Sequence, residues 1–189
     1  MKEIAQADGL LIREMEAEPA DFEQALRWMT DPETMRFWEG MTEIYDLARV
    51  QAEYRESLAE HVVPCIVEWD GRAIGYMQFV KMEDAAHYEI PQAEWDRAVR
   101  PGETAYGIDM YIGEVDCRDR GLGTRMLNLL ASALFASYGA DVLMIDPKTH
   151  NARAIACYRK CGFHDCCVVP QREKQDGVLH DSLIMARHA

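Results

Sequence analysis

Residues 108–125 read Ile-Asp-Met-Tyr-Ile-Gly-Glu-Val-Asp-Cys-Arg-Asp-Arg-Gly-Leu-Gly-Thr-Arg. Strand character extends over 105–112 and ends at the first glycine of this stretch. A long run with apolar residues at helical spacing follows and predicts a helix over 121–138, which Gly139 ends. The order of strand, glycine-bearing turn and amphipathic helix predicts an α+β domain in which helices pack on a sheet.

The turn in this segment has the features of an anion-binding site. A helix start presents backbone N–H groups without intrahelical acceptors, together with the positive end of the helix dipole. Gly121 and Gly123 have no Cβ, so a diphosphate can come close to the backbone there. The segment also contains three positively charged side chains, those of Arg118, Arg120 and Arg125.

Two common phosphate-binding patterns are missing from the segment. The P-loop needs a Gly-Lys-Ser/Thr, and the dinucleotide fingerprint needs G-x-G-x-x-G; neither occurs. A helix start with a glycine turn and no ligand is the simple alternative. The arginine three residues before Gly121, the preceding strand and the long helix favour the anion site over that alternative.

Outward from this segment, the chain alternates helical and extended patterns. Apolar runs predict strands over 9–15, 61–69, 74–80, 142–145, 163–169 and 178–186. Helices are predicted over 19–29, 42–58 and 151–160, the second with Thr42 as its cap and with Ile44, Leu47, Tyr54 and Leu58 on one face. The acid-rich stretch 81–103 is predicted to be a long loop. This order predicts a mixed sheet flanked by helices, in a single domain over 1–189.

Composition limits the classes of partner. The chain has 33 acidic and 20 basic residues, a net charge of −13, which makes nucleic acid and anionic membrane poor partners. A cationic partner suits this charge, although plain solubility explains it too. No apolar run approaches the roughly 20 residues that span a bilayer, and the acidic N-terminal segment does not resemble a signal peptide. A cytoplasmic location is therefore expected.

The six cysteines allow a zinc site but do not favour one. Cys157 and Cys161 lie four residues apart on a predicted helix, and Cys166 and Cys167 follow soon after. A paired C-x-x-C knuckle is missing, so buried thiols are the better interpretation and no metal is expected.

Two motifs together resemble a known superfamily. Arg118-x-x-Gly121-x-Gly123 is similar to the acetyl-CoA signature of the GNAT acetyltransferases, which is Arg/Gln-x-x-Gly-x-Gly/Ala. The stretch 151–163, an Asn-started helix with Tyr158 that ends at Gly-Phe, resembles the later motif of that superfamily. The resemblance implies a GNAT fold with a central mixed, splayed sheet, and acetyl-CoA as co-substrate.

Within that superfamily, most of the chain resembles the aminoglycoside 6′-N-acetyltransferases. The similar stretches are Phe37-Trp38, Ala52-Glu-Tyr54, Ile74-Gly-Tyr-Met-Gln78, Gly107-Ile-Asp109, Gly121-Leu-Gly-Thr124 and Ile145-Asp-Pro147. A Trp-Trp pair found before the Gly-Ile-Asp strand in that family is replaced here by Tyr88, Trp95 and Tyr106, spread apart. The contribution of this region to substrate choice therefore stays open.

The resemblance implies a role for each candidate residue. Asp109 handles the substrate ammonium, as base or as positioning group, and Tyr158 is the general acid for the leaving thiolate. The implied cofactor-binding residues are Met110, Tyr111, Ile112, Arg118, Arg120, Gly121, Leu122, Gly123, Thr124, Asn151 and Tyr158. The implied substrate-binding residues are Trp38, Tyr54, Tyr76, Gln78, Asp109 and Asp146.

Several alternatives stay open at this point. Asp146 could be only a turn aspartate, and Tyr54 could be only a core residue. Acids of the 81–103 stretch could line the site; they are Glu83, Asp84, Glu89, Glu94, Asp96 and Glu103. The acceptor could be a small cationic aminoglycoside, or another amine such as a siderophore hydroxylamino-lysine, a polyamine or a protein N-terminus. A non-catalytic acyl-CoA-binding regulator, and either a monomer or a homodimer, are also compatible with the sequence.

Overall fold

The computed structural model describes all residues from Met1 to Ala189. Its eight strands are β1 Glu3–Ala7, β2 Leu10–Glu14, β3 Val63–Trp69, β4 Arg72–Met82, β5 Ala105–Ile112, β6 Val142–Ile145, β7 His164–Gln175 and β8 Val178–His188. Its helices are α1 Pro19–Met29, α2 Pro32–Met35, α3 Leu47–Ala59, α4 Gln92–Ala98, α5 Leu122–Ser137 and α6 Ala152–Lys160, and a 3₁₀ turn covers Val115–Cys117.

The strands form one mixed sheet in the order β1-β2-β3-β4-β5-β6-β8-β7. Antiparallel pairing joins β1 to β2, β2 to β3, β3 to β4, β6 to β8 and β7 to β8. The pairing of β5 with β6 is parallel and covers Ala105–Gly107 opposite Val142–Met144, whereas β5 runs on to Ile112. The predicted α+β class with a mixed, splayed sheet is confirmed.

The chain divides into two compact units, and β4, β5 and α5 each contribute to both. The first unit comprises Met1–Phe79 and Asp109–Leu130. The second comprises Val80–Ile108 and Ala131–Ala189. The expectation of one catalytic domain over 1–189 stays a prediction.

In the first unit, Trp28 of α1 fixes the turn that follows β5. Its side chain is 1% exposed, and a Cβ at Gly113 would lie 2.2 Å from its ring, so only glycine fits there. The indole Nε1 donates a 2.9 Å hydrogen bond to Glu114, which Arg27 and Arg72 also contact. Burial alone would raise the pKa of Glu114, but hydrogen bonds from Trp28 and Arg72 lower it. The start of the anion-binding turn is thereby anchored on α1.

The second unit contains a helix in the segment that was predicted to be a long loop. Residues 92–98 form α4, and Trp95, Ala98 and Val99 pack into a core with residues of β6 and β8, notably Val142 and Ile184. The acids in and around α4 are exposed or half-buried, and they conceal the i, i+3, i+4 spacing of Trp95, Ala98 and Val99. The loop prediction over 81–103 is therefore wrong in its central part.

Other boundaries also differ from the predictions. A strand precedes the one predicted over 9–15, since Glu3–Ala7 forms β1. Helix α3 begins at Leu47 with Asp46 as its cap, and not at Thr42, because the Asp46 carboxylate accepts a hydrogen bond from the Arg49 amide. The apolar face predicted for this helix is wrong: Ile44 precedes it and is 85% exposed, and the buried position is Val50. The rest of the surface of α3 includes acidic residues, among them Glu53 and Glu56.

Candidate active site

The turn before α5 has the backbone geometry of an anion site. Asp119 and Gly121 both have positive φ values, 56° and 77°, and α5 starts at the next residue, Leu122. Such a turn directs successive backbone N–H groups to one side. No atom lies within 4 Å of the place where a Cβ of Gly121 would be, so open space adjoins the backbone there. The geometry therefore fits a diphosphate at the start of a 16-residue helix.

Arg118, the first residue of the signature, holds this turn in place. Its side chain is 7% exposed and donates hydrogen bonds to Asp31 at 2.8 Å and to Thr34 at 2.8 Å. Further bonds reach the carbonyl oxygens of Ile112 and Gly113, and Glu33 lies 3.2 Å away. The guanidinium therefore ties the turn to α2, and a direct role in binding phosphate stays a prediction.

The cation that the turn presents outward is Arg120. Arg120 is exposed, and its guanidinium lies over the ring of Trp69, 4.7 Å from the ring centroid. Arg125, in the first turn of α5, donates a 2.6 Å hydrogen bond to the carbonyl of Asp8. Of the three arginines in the segment, Arg120 is thus best placed to meet a ligand from solution.

The buried position of Arg118 and the exposed position of Arg120 predict different effects when each is replaced by alanine. Arg118→Ala should destabilise the protein by about 3 kcal/mol, because it leaves the Asp31 carboxylate without its buried counter-charge. Arg120→Ala should leave the free energy of unfolding unchanged within about 0.5 kcal/mol and raise the KM for acetyl-CoA. Urea denaturation and steady-state kinetics of both variants give the comparison. Equal loss of stability in the two variants would contradict the assignment.

A row of hydrogen-bonded side chains leads to Asp109. The Tyr76 hydroxyl donates to Gln78 Oε1 at 2.9 Å, and Gln78 Nε2 donates to Asp109 Oδ2 at 2.9 Å. Tyr76 and Gln78 are two residues apart on β4, as Asp109 and Tyr111 are on β5. The ring of Tyr111 stacks on that of Tyr76 with centroids 5.4 Å apart. Two side-chain pairs therefore share one face of two neighbouring strands.

A pocket of about 220 Å³ opens beside this row, within the first unit. Four predicted substrate residues line it, and they are Trp38, Tyr54, Tyr76 and Gln78. Asp109 bonds to one of them, Gln78. The structure thus brings five of the six predicted substrate residues together, with Tyr111 at the same pocket.

The pocket also contains acids that sequence reasoning missed. They are Glu39, before α3, Glu53 and Glu56, on α3, and Glu60, the C-cap of that helix. The last three have the spacing i, i+3, i+7, which places them on one face of a helix. That spacing is a usable signal in the sequence, but the apolar residues of the same segment, also at helical spacing, predict a different face. No lysine or arginine is among the residues that line the pocket.

In the second unit, Asp146 has a guanidinium partner. Arg172 forms a short ion pair with its carboxylate, and the same guanidinium donates to the carbonyl of Tyr88 at 3.0 and 3.2 Å. Arg172 thereby links the end of β6 to the segment before α4. The predicted role of Asp146 in binding substrate has to compete with this internal cation.

The later motif forms α6 as predicted. The Asn151 side chain caps the helix by accepting a 3.2 Å hydrogen bond from the amide of Ala154. Tyr158 is 8% exposed and packs near Phe163, with ring centroids 6.3 Å apart. Its buried, fixed ring is compatible with a hydroxyl that transfers a proton at a defined position. The predicted roles of both residues toward acetyl-CoA stay predictions.

None of the helices is both long and apolar enough to cross a membrane. No group of three or more His, Cys, Asp or Glu side chains is placed to hold a metal ion.

Comparison with known proteins identifies relatives that match most of this chain. Residues 18–169 match the family described as acetyltransferase (GNAT) domain. Aminoglycoside N(6′)-acetyltransferase type 1 of Klebsiella pneumoniae is 30% identical over 146 residues, which are 76% of this chain and 69% of that protein. The residues of the family match include the anion-binding turn.

Solved structures give the same result for the fold. The structure of AAC(6′)-Ib with ribostamycin and coenzyme A superimposes with a TM-score of 0.74 at 26% identity, covering 96% of this chain and 94% of that one. The structure of AAC(6′)-Ib with paromomycin and acetyl-CoA has a TM-score of 0.73 at 25% identity, with the same coverage. These structures hold coenzyme A or acetyl-CoA together with an aminoglycoside.

Proposed function

Because the chain belongs to the acetyltransferase (GNAT) domain family, we propose that it transfers the acetyl group of acetyl-CoA to the 6′-amine of aminoglycosides. The observation that best supports this acceptor is the hydrogen-bonded row from Tyr76 through Gln78 to Asp109, beside a pocket with four glutamates. Ammonium groups are favoured by carboxylates and by aromatic faces, and this pocket supplies both.

The donor side of the proposal rests on the turn before α5. The left-handed turn at Asp119 and Gly121 and the first turn of α5 suit the pyrophosphate. Arg120 adds an exposed positive charge there. Backbone groups of Met110–Ile112 pair with the pantetheine arm, and an N–H of this strand polarises the thioester carbonyl. Asn151 contributes a further contact to the donor.

The proposed reaction is direct transfer in a ternary complex. Asp109 binds the ammonium and takes up its proton, directly or through a water molecule, so that the nitrogen lone pair can attack the thioester carbon. Backbone N–H groups stabilise the oxyanion that forms. As the C–S bond breaks, Tyr158 protonates the thiolate. The ammonium loses two protons in all: the first passes to Asp109 before attack, and the second leaves the nitrogen of the tetrahedral intermediate and restores, through solvent, the proton that Tyr158 gives to sulfur.

The test of the acceptor is an assay with a matched pair of antibiotics. Neomycin B and paromomycin differ at the 6′ position, where one has an amine and the other a hydroxyl. We expect release of coenzyme A thiol with neomycin B and at least about a hundredfold slower release with paromomycin, since the proposed acceptor nitrogen is missing. Mass spectrometry of the product should show one added acetyl group.

The outcomes separate the alternatives. Equal rates with the two antibiotics would mean that a different amine is acetylated. No release with either antibiotic, but release with spermidine or a peptide N-terminus, would replace the proposed acceptor by another amine. Binding of acetyl-CoA without turnover of any amine would favour a non-catalytic regulator.

A further inference from the structure

Tyr111 has a buried hydroxyl without a hydrogen-bond partner, and it is the one buried side-chain N or O atom in this state. The residue is 9% exposed and lines the pocket described above. Buried polar groups in folded proteins are nearly always hydrogen-bonded, and an unsatisfied one destabilises the protein. Because Tyr111 lines a pocket, a ligand that supplies the missing partner is a direct explanation for the unsatisfied hydroxyl.

The rings around Tyr111 hold it rigidly. Its ring stacks on Tyr76 at 5.4 Å and 19°, and Trp38 packs edge-on against it at 4.9 Å. Trp28 makes a second edge contact at 6.0 Å. A hydroxyl on a ring packed on several sides cannot rotate away to find another partner, so its position is set before any ligand arrives.

The charge that lies near this hydroxyl is negative. Burial raises the pKa of Tyr111, and the neighbouring Tyr45 and Glu53 raise it further. Glu53 also lines the pocket, together with the three other glutamates. Its carboxylate accepts a 2.9 Å hydrogen bond from Arg49, which also contacts Glu43 at 2.8 Å and does not itself line the pocket. A cation that donates hydrogen bonds therefore suits the charge and the acceptor groups of this pocket.

We propose that this pocket is a subsite for a second ammonium group of the acceptor, which donates a hydrogen bond to the Tyr111 hydroxyl and is attracted by Glu53. The inference rests on the proposed function, because Asp109 receives the amine that is acetylated. Asp109 and Tyr111 are two residues apart on one face of β5, a separation of about 7 Å at the rise of an extended strand. The structure thereby favours acceptors with two ammonium groups at about this spacing over monocationic ones.

Tyr111→Phe tests the hydroxyl alone, because it retains the ring packing. Kanamycin B and kanamycin A are a suitable acceptor pair: on the sugar that bears the 6′-amine, the first has an amine where the second has a hydroxyl. We expect wild-type protein to prefer kanamycin B in kcat/KM. In Tyr111→Phe this preference should fall by about fivefold or more, through the KM for kanamycin B.

Thermal unfolding of the ligand-free variant gives a readout that a purely structural role would not produce. Since phenylalanine removes an unsatisfied buried hydroxyl, the Tm of Tyr111→Phe should be equal to or above that of the wild type. A structural role for the hydroxyl predicts the reverse, a lower Tm together with an equal loss of activity on both kanamycins.

Glu53→Gln and Glu43→Gln form a matched pair for the charge. Each removes one carboxylate that contacts Arg49, and the two side chains are similarly exposed, at 37% and 43%. Only Glu53 lines the pocket. The preference for kanamycin B should therefore fall in Glu53→Gln and persist in Glu43→Gln.

Failure of this inference differs from failure of the proposed function. If the wild type acetylates both kanamycins and neither Tyr111→Phe nor Glu53→Gln changes their ratio, the second subsite is overturned and the acceptor class stands. If the wild type acetylates neither antibiotic, the proposed function is overturned and the subsite with it.

Discussion

Asp109→Asn should lower kcat for aminoglycoside acetylation by at least about tenfold, which corresponds to roughly 1.4 kcal/mol of transition-state stabilisation. Asparagine has nearly the same shape as aspartate, and its carbonyl oxygen can still accept the 2.9 Å hydrogen bond from Gln78. The substitution therefore removes the negative charge and the ability to take up a proton. The hydrogen bonds that join Tyr76, Gln78 and the side chain at position 109 stay intact.

Kinetics over a pH range would distinguish the two roles considered for Asp109. If it is the base, the loss in kcat should shrink as the pH rises and the acceptor amine loses its proton without help. If it only positions the ammonium, the loss should appear mainly in KM and should persist at high pH. Asp165→Asn, at a surface ion pair with Arg159, is the control for loss of a carboxylate elsewhere. Wild-type rates in Asp109→Asn would reduce this residue to part of the scaffold.

Tyr158→Phe should lower kcat by about a hundredfold, the lower range for loss of a general acid, and change the KM for acetyl-CoA much less. The ring of Tyr158 is buried beside Phe163, so phenylalanine should keep its packing and delete only the hydroxyl. Tyr138→Phe, at a half-buried tyrosine that packs on Tyr106, controls for removal of a tyrosine hydroxyl in the same unit.

A change of leaving group makes this test specific for proton transfer. An acetyl thioester of a more acidic thiol needs less help from an acid, so it should restore much of the activity of Tyr158→Phe. If the defect of the variant is the same for both thioesters, Tyr158 is not the acid. An unchanged kcat with acetyl-CoA would lead to the same conclusion directly.

Elements with strong local signals were predicted well. The helix predicted over 121–138 is α5, Leu122–Ser137, and Gly139 adopts the left-handed conformation expected after a helix end, with φ of 68°. The tight turn at Asp70 and Gly71 joins β3 and β4 as predicted, and both residues have positive φ. In each case a few neighbouring residues determine the outcome, so no knowledge of distant packing was needed.

Elements that depend on distant packing were predicted poorly. Helix α4 is stable because Trp95 and Val99 pack into the core of the second unit. A short acid-rich sequence does not reveal that this core is available to pack against. The burial of Arg118 by Asp31 and Thr34, more than 80 positions earlier in the chain, is equally invisible in the sequence. The acidic face of α3 was hidden by the apolar residues Leu47, Tyr54 and Leu58 of the same helix, which predict a different face.

The hydrogen bonds from Arg118 to Asp31 and Thr34 also have an evolutionary consequence. A substitution at any one of these three positions leaves the others with unmatched charge or hydrogen-bonding groups in a mostly buried place. Lineages that descend from this chain should therefore change these positions together or not at all. The arginine of the acetyl-CoA signature would then be preserved by selection for a correctly folded turn, whatever acceptor those descendants use.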